Sequence, residues 1–230
     1  MRRGIRIMVV GALIAAASVC ASASTWTADF TPSTWNPAVG DVVQFSACES
    51  CLGVGSYVYL WDFNSDGVTD TESTSPLASV LCSGQGPYVV KLTVRDAGGR
   101  EATCAKEIFA GDSAAYGVRE LTVEDDGSIL VTVRVVVTVG VSAPGVIESV
   151  PSGWQMDVVD AAGAIWQFDS EARQLQALWL TQFAAGDEIL FTYRLYSNYA
   201  SQVKRLVGEV SGYVGGARFA GEMCGNLYVP

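Results

Sequence analysis

The stretch Tyr57-Val58-Tyr59-Leu60-Trp61-Asp62-Phe63-Asn64-Ser65-Asp66-Gly67-Val68-Thr69-Asp70 decides the fold of this chain of 230 residues. Its first half alternates, and the aromatic side chains that share one face are Tyr57, Tyr59, Trp61 and Phe63. This alternation predicts a half-buried β-strand with Trp61 in the core. The second half brings aspartates, an asparagine and a glycine close together, which predicts a tight turn.

The turn also has the ligand spacing of a calcium site. The candidate metal ligands are Asp62, Asn64, Asp66 and Asp70. They match the first nine positions of an EF-hand loop, with Gly67 at the sharp turn. The twelfth position, a bidentate glutamate in that loop, is Ser73 here. Two interpretations stay open: a Ca²⁺ site, or a turn whose side chains accept hydrogen bonds from its own backbone.

The first 23 residues have the pattern of a secretory signal peptide. Basic residues in Met1–Arg6 precede an apolar run over Ile7–Val19 and an Ala-x-Ala site at Ala21–Ala23. We expect cleavage after Ala23 and a secreted or extracytoplasmic protein of the periplasm or cell surface. Cys20 fits the pattern of a lipidated cysteine poorly. No later apolar stretch is long enough to predict a membrane span.

Composition and charge disfavour several classes of partner and of catalytic site. The formal net charge is −10, and removal of the signal peptide makes the chain more acidic still. An acidic surface disfavours nucleic acid and anionic membranes as partners. The chain contains no histidine, so the usual general base and the Ser–His and Cys–His nucleophile systems are absent. An enzyme would have to use carboxylates alone, and we expect no catalytic residues.

Short apolar segments separated by turn residues predict an all-β protein with two Ig-like β-sandwich domains in tandem. We place the boundaries at residues 24–111 and 112–230. Predicted strands in the first part are 41–47, 57–63, 77–81, 88–95 and 100–108. Predicted strands in the second part are 118–123, 129–141, 154–159, 188–196 and 203–214. The best helix candidate is Ser170–Phe183.

The first part resembles PKD domains, the Ig-like modules first described in the polycystic kidney disease protein. Tyr59-x-Trp61-Asp62-Phe63 followed by Asp66-Gly67 is similar to the family signature. Gly40–Ala47 and Gly86–Asp96 are similar to two of its strands, in the same order and spacing. The resemblance covers about Trp26 to Gly111. It implies a seven-stranded β-sandwich in a surface or secreted protein that acts as a spacer or binds protein or carbohydrate.

The cysteines depart from the family pattern. The mature chain carries five, at Cys48, Cys51, Cys82, Cys104 and Cys224. Export favours disulfide bonds, and Cys48-x-x-Cys51 fits a structural disulfide better than a redox or zinc site, since no βαβ pattern or second cysteine pair accompanies it. The Ig-like chain path implied by the resemblance favours a bond from Cys104 to Cys48 or Cys51.

The second part loosely resembles surface β-sandwich modules of bacteria and archaea, at Gly145–Trp154 and Ala185–Glu188. Candidates for carboxylate catalysis there, none paired by a motif, are Glu148, Asp157, Asp160, Asp169, Glu171, Asp187 and Glu188. Aromatic residues that would stack on a sugar if exposed are Trp154, Trp166, Trp179, Tyr193, Tyr196, Tyr199 and Tyr213. Arg134 within the valine-rich strand is interpreted as a gatekeeper or a cross-strand charge partner.

The expected function is a non-catalytic extracytoplasmic module for binding, adhesion or assembly, with protein or carbohydrate at the cell surface as partner. The alternative is an accessory carbohydrate- or substrate-binding component of a secreted hydrolase system. An exposed apolar patch or flat sheet edge would favour assembly. An exposed aromatic strip would favour the alternative.

Overall fold

The computed structural model describes residues 26–197 and 204–229 and is almost entirely β. The predicted signal peptide and Tyr199 lie outside the described residues. The strands of the first part are β1 (Phe30–Pro32), β2 (Val42–Ala47), β3 (Tyr57–Asp62), β4 (Thr71–Ser73), β5 (Leu77–Leu81), β6 (Gly86–Asp96) and β7 (Glu101–Ala110). A 3-10 helix, Glu49–Cys51, lies between β2 and β3.

The strands of the second part follow in chain order. They are β8 (Ala115–Val123), β9 (Ile129–Val137), β10 (Val141–Ser149), β11 (Gln155–Asp160), β12 (Ile165–Asp169), β13 (Gln174–Leu178), β14 (Gln182–Phe183), β15 (Glu188–Tyr196), β16 (Lys204–Arg205), β17 (Val207–Val214), β18 (Ala217–Asn226) and β19 (Tyr228–Val229).

The first part is a β-sandwich around Trp61. One layer, which we name sheet A, has the antiparallel order β1–β2–β5. The other layer has the order β4–β3–β6–β7. Trp61 is completely buried, and its ring lies 5.3 Å from that of Phe30 and 5.9 Å from that of Phe45, both in sheet A. The prediction that Trp61 is a core residue is therefore confirmed.

The disulfide predicted for Cys104 is wrong. Cys48 bonds Cys51 across the 3-10 helix, with their Cα atoms 5.4 Å apart, and Cys104 is a free thiol. The cause is strand register: Cys104 lies opposite Leu92, which points into the sandwich core. Burial raises the pKa of the Cys104 thiol well above its ordinary value, with Asp29 adding to the effect. The structural disulfide expected for the Cys-x-x-Cys pair is the one that forms.

The second part folds one long sheet over a second core. The strand order is β11–β15–β9–β8–β18–β17–β10–β13–β12. The buried side chains include Val131 and Val133 of β9 and Phe191 of β15, which face Val146 of β10 and Val210 of β17. The all-β class and its two sandwiches are as expected from the sequence, whereas the boundary at residues 111–112 stays a prediction.

Strand β18 connects the two sandwiches. Its first residues pair with β17, while Met223–Gly225 pair in parallel with β8. At the same end, Gly225 and Asn226 pair antiparallel with Glu107 and Lys106 of β7. The second sheet therefore continues by backbone hydrogen bonds into the first sandwich.

Gly225 makes this crossing possible. Its φ is +90°, and a Cβ built there would lie 2.1 Å from the carbonyl oxygen of Arg119. We expect Gly225→Ala to destabilise the protein by about 2–4 kcal/mol, because it adds both backbone strain and a steric clash. Chemical denaturation measures the loss, and Gly127→Ala, at a positive-φ turn with open space, separates strain from clash. Equal losses in the two variants would contradict the close approach.

One predicted element is wrong, one is shortened and one is divided. Ser170–Phe183 is not a helix, because Leu175 and Ala177 point inward with the two-residue period of β13, which pairs with β10 and β12. The strand predicted over 129–141 ends at Val137, and Val141 begins β10 in the opposite layer. The last predicted strand is divided into β16 and β17 at Leu206.

The interpretation of Arg134 in β9 as a cross-strand charge partner is confirmed. The strand pairs with β8 on one side and β15 on the other. Arg134 donates to the Glu188 carboxylate of β15, with Nη1 and Oε1 3.0 Å apart, so it is a cross-strand charge partner.

Within the described ranges, no helix is long and apolar enough to cross a membrane.

Candidate functional site

The acidic turn follows β3 directly and is organised by its carboxylates. Asp62 is buried, and its two oxygens accept the backbone N–H groups of Asp66 and Gly67 at 3.2 and 2.9 Å. Asp70 Oδ2 accepts the N–H of Phe63 at 2.8 Å, while the Asp70 N–H donates to the carbonyl of Trp61. The turn is thus hydrogen-bonded to the strand that carries the core tryptophan.

The other two candidate ligands bond within the loop. Asn64 Oδ1 accepts the N–H of Asp66 at 3.0 Å, and Asn64 Nδ2 donates to Asp66 Oδ2 at 3.1 Å. Asp66 Oδ1 accepts the N–H of Val68 at 2.7 Å. Gly67 has a φ of +89°, as the turn requires. Within residues 26–197 and 204–229, no three His, Cys, Asp or Glu side chains are grouped closely enough to hold a metal ion.

Asp62 is expected to stabilise the protein by charge-assisted hydrogen bonds. Asp62→Ala should lower the free energy of unfolding by about 2–3 kcal/mol, because two backbone donors lose their acceptor. Thermal denaturation measures the effect, and Glu72→Ala, an exposed carboxylate on β4, is the matched control with an expected change below about 0.5 kcal/mol. Equal effects in the two variants would contradict the role of Asp62.

Calcium binding at this turn stays a prediction. A ligand that binds the folded state must raise the melting temperature in proportion to its occupancy. Calcium at millimolar concentration should therefore raise Tm relative to a chelator-treated sample, and Asp66→Asn should reduce the shift. An unchanged Tm at that concentration would contradict calcium binding at this turn.

A buried ion pair in the second sandwich is the feature that sequence reasoning missed. Arg119 of β8 and Glu148 of β10 are both almost fully buried. Arg119 Nη2 lies 2.9 and 2.8 Å from the two Glu148 carboxylate oxygens, and Nη1 donates to the Asn226 carbonyl at 3.0 Å. The Tyr193 hydroxyl of β15 donates to Glu148 Oε2 at 3.3 Å. The group joins three strands and the end of β18.

The electrostatics of this group are governed by burial. Loss of solvent raises the pKa of the Glu148 carboxyl, although the Arg119 guanidinium opposes the shift. Burial works against the charge of Arg119 as well, but Glu148 outweighs it and raises the pKa of Arg119. Glu148 was a candidate catalytic carboxylate, yet it is fully enclosed, so no substrate reaches it in this fold.

Four of the other candidate carboxylates in the second sandwich have structural contacts. Asp160, Asp169 and Asp187 accept backbone N–H groups of their own turns, at 2.7–2.9 Å. Glu188 pairs with Arg134. The structure brings none of these together with Glu148, and each is accounted for by a turn or a cross-strand pair.

Glu124 offers a test of pH dependence. Hydrogen bonds from Arg194 and Ser128 hold the pKa of the Glu124 carboxyl below its usual range. A lowered folded-state pKa gives stability that is present above the unfolded pKa of about 4.3 and lost as pH falls through the folded value. We expect Tm of the wild type to exceed that of Glu124→Gln at pH 7, and the difference to vanish near pH 2. A constant difference would contradict the linkage.

The aromatic candidates divide by exposure. Trp154, Trp179 and Tyr193 are buried, whereas Trp166 is 46% exposed and Tyr213 45% exposed. Near Trp166 a shallow groove of 390 Å³ crosses β12, β13, β10 and β17. Gly145 lies in its lining, together with Ile147, Leu178 and the hydrogen-bonded pair Gln167 and Gln176.

The outer face of sheet A carries three aliphatic side chains and the uncharged polar residues Gln44, Ser46 and Ser79. No residue of β1, β2 or β5 is charged, although the chain has a net charge of −10. Val42, Leu77 and Leu81 are 65%, 48% and 54% exposed there, and Val42 lies opposite Leu81 in the β2–β5 pair. We name these three residues the open face. Sequence reasoning placed β2 and β5 but missed β1, and it could not tell which strands lie at an edge.

Comparison with known proteins yields only distant similarity. A type II cohesin dyad from the adaptor scaffoldin ScaA of Acetivibrio cellulolyticus is 10% identical over 89% of this chain and 98% of that chain, with a TM-score of 0.40. The major pilin SpaD of Corynebacterium diphtheriae is 10% identical over 76% of this chain and 60% of that chain, with a TM-score of 0.41. A carbohydrate-binding module of the β-sandwich superfamily is 17% identical over 84% of this chain and 94% of that chain, with a TM-score of 0.34.

No family model matches the chain, and no curated protein matches it. The resemblance of the first part to PKD domains therefore stays a prediction. The function of the chain is inferred from its own surfaces.

Proposed function

We propose that this protein is a non-catalytic extracytoplasmic module that binds other proteins through the open face of its first sandwich. The proposal includes export directed by residues 1–23, a PKD-like module at 24–111 and a second module at 112–230. The Cys48–Cys51 disulfide supports an oxidising location. The open face carries the proposal, because Val42, Leu77 and Leu81 expose apolar surface on a layer whose strands carry no charged residue.

An uncharged sheet face with exposed aliphatic side chains suits a protein partner better than a polysaccharide. Interface cores are depleted of charged residues, whereas sugar binding relies on exposed aromatic rings and several polar side chains. The residues of the open face are aliphatic. Their removal from water is what would drive association.

Site-specific photo-crosslinking in the producing cell tests the proposal. A benzophenone amino acid at Val42 should give a covalent adduct with a protein. The matched control is the same amino acid at Val123, a valine of β8 that is similarly exposed but lies outside the open face. Adducts at neither position, or equal adducts at both, would contradict a protein partner at the open face.

The alternative function, a carbohydrate-binding component, is favoured by the exposed ring of Trp166 beside the groove that contains Gln167 and Gln176. An aromatic ring and side-chain amides together suit the apolar and polar faces of a sugar. Depletion assays with insoluble cellulose and chitin test this, with Trp166→Ala as the variant and Tyr213→Ala as the control. Retention that disappears only in Trp166→Ala would favour carbohydrate over a protein partner.

A further inference from the structure

We propose that two copies of this chain associate through the free edge of β5, which joins sheet A of each copy into one six-stranded antiparallel sheet. The inference rests on the proposed function, since it names the partner of the open face as a second copy. The strand that carries it has the sequence Leu77-Ala78-Ser79-Val80-Leu81.

The first observation is that β5 has an unpaired edge. Among the described strands, β5 pairs only with β2. The Cys82 N–H donates to the Asp41 carbonyl at 2.9 Å, and the Cys82 carbonyl accepts the Gly40 N–H at 2.8 Å. At the other end, the Pro76 carbonyl accepts the Ala47 N–H at 2.9 Å. Even-numbered residues of this segment therefore direct their backbone groups toward β2.

Because backbone groups alternate along an antiparallel strand, the odd-numbered residues direct theirs toward the open edge. These residues are Leu77, Ser79 and Leu81. A second β5 related by a two-fold axis through Ser79 places Ser79 opposite itself and Leu77 opposite Leu81 of the second copy. Each is then a hydrogen-bonded pair, so one register uses all the outward-facing backbone groups of the strand. The N–H of Leu77, now donated to Ser75 Oγ at 3.2 Å, transfers to the incoming carbonyl.

The side chains match in the same register. Leu77 and Leu81 lie on the exposed side of sheet A. The two-fold axis places Leu77 of each copy beside Leu81 of the other copy. Val42 extends the contact, because it is the cross-strand neighbour of Leu81 on β2. On the inner side, Ala78 meets Val80 of the second copy. The sequence of β5 is thus self-complementary about Ser79, as an isologous interface requires.

The absence of charge on sheet A permits a second acidic copy to approach. Two molecules that are each strongly acidic repel unless they meet through an uncharged surface. Sheet A supplies such a surface, whereas a basic partner would find no carboxylate on it.

The other edge strands are less suitable for pairing. Strand β11 carries Asp157 and Asp160 and a register shift between Val158 and Asp160. Strand β12 ends at Asp169, and β1 is only three residues long and ends at Pro32. Charges, bulges, short length and proline are the devices that prevent strand addition at an edge. Strand β5 has none of them.

The size of the contact sets its strength. A five-residue edge with one flanking valine buries much less than the roughly 1,600 Å² of a standard stable interface. We therefore expect a weak dimer, with a dissociation constant of about 10 µM to 1 mM. Added salt should strengthen it, because the contact itself is uncharged while the two molecules repel each other.

Sedimentation equilibrium of the chain from Ser24 onward, at up to about 1 mM, measures the association. The weight-average mass should rise with concentration for the wild type and stay monomeric for the double variant Leu77→Lys, Leu81→Lys. The matched control is Leu180→Lys, Leu190→Lys, which charges two exposed leucines elsewhere and should dimerise like the wild type. Circular dichroism confirms that each variant is folded.

A cysteine pair tests the register and detects even a weak dimer. Opposed residues in a hydrogen-bonded antiparallel pair have Cα atoms about 5.5 Å apart, which suits a disulfide. Ser79→Cys should form a covalent dimer under mild oxidation. Gln167→Cys, at the centre of the five-residue edge strand β12, is the control and should not.

A monomeric wild type at 1 mM together with Ser79→Cys coupling no faster than Gln167→Cys would overturn the dimer. If the crosslinker at Val42 then still captured a different protein, the proposed function would stand without self-association. If it captured nothing, both would fall.

Discussion

Glu148→Gln is expected to lower the free energy of unfolding by about 3–5 kcal/mol. The substitution nearly conserves the shape of the side chain but removes the charge that compensates Arg119, which is 1% exposed. A buried guanidinium without a counter-ion keeps its desolvation penalty and loses most of its Coulomb attraction. Urea denaturation measures the loss, and peptide-resolved hydrogen exchange should show that the second sandwich is weakened more than the first.

The matched control is Glu188→Gln. It removes the charge from an ion pair of similar length, Arg134–Glu188 at 3.0 Å, that is largely exposed. An exposed pair contributes at most about 1 kcal/mol. The double variant Arg119→Met, Glu148→Leu should recover much of the stability that Glu148→Gln loses, because it removes both charges together. A double variant as unstable as the single one would show that the pair is required for packing and not only for charge balance.

Trp61→Ala should cost about 3–5 kcal/mol, the second of the two largest effects expected. The ring is fully buried between Phe30, Phe45 and Phe63, so its removal leaves a cavity between the two layers of the first sandwich. Thermal and urea denaturation measure the loss. The acidic turn should loosen as well, since the Asp70 N–H donates to the Trp61 carbonyl.

Two further variants separate volume from polarity. Trp61→Phe should cost much less than Trp61→Ala, since the indole N–H has no hydrogen-bond partner in the structure and nothing polar is lost with it. Trp166→Ala, at an exposed ring, should change stability by less than about 1 kcal/mol. A similar cost for Trp61→Ala and Trp166→Ala would contradict the assignment of Trp61 as the centre of the core.

Alternation predicted the strands whose inward and outward faces differ most. Strands β5 and β15 have the predicted bounds, and β9 keeps its inward valines up to Val137. Ser170–Phe183 was predicted to be a helix because Leu175, Leu178 and Leu180 can be placed loosely on one helical face. The segment forms a strand because β13 pairs with β10 on one side and β12 on the other. Pairing with distant strands cannot be read from the residues of the segment itself.

The buried ion pair and the open face were beyond sequence reasoning for a related reason. Arg119 and Glu148 are 29 residues apart and meet only because β8 and β10 lie in opposite layers. Leu77 and Leu81 are exposed because they lie on the outer face of sheet A, and the strand order alone reveals that β5 is an edge strand. The acidic turn was predictable in position, since residue types alone indicate it. Its hydrogen bonds required the backbone geometry.

The position of β18 has a consequence for how the protein is made. This strand comes late in the chain, at Ala217–Asn226, but it lies between β8 and β17 and also pairs with β7. During synthesis, β8 and β17 emerge before their shared neighbour, and both have an unsatisfied edge until it arrives. Long-range strand pairing is slow, and unpaired strand edges promote aggregation until the neighbouring strand has formed. The second sandwich can therefore complete its sheet only after β18 has been synthesised.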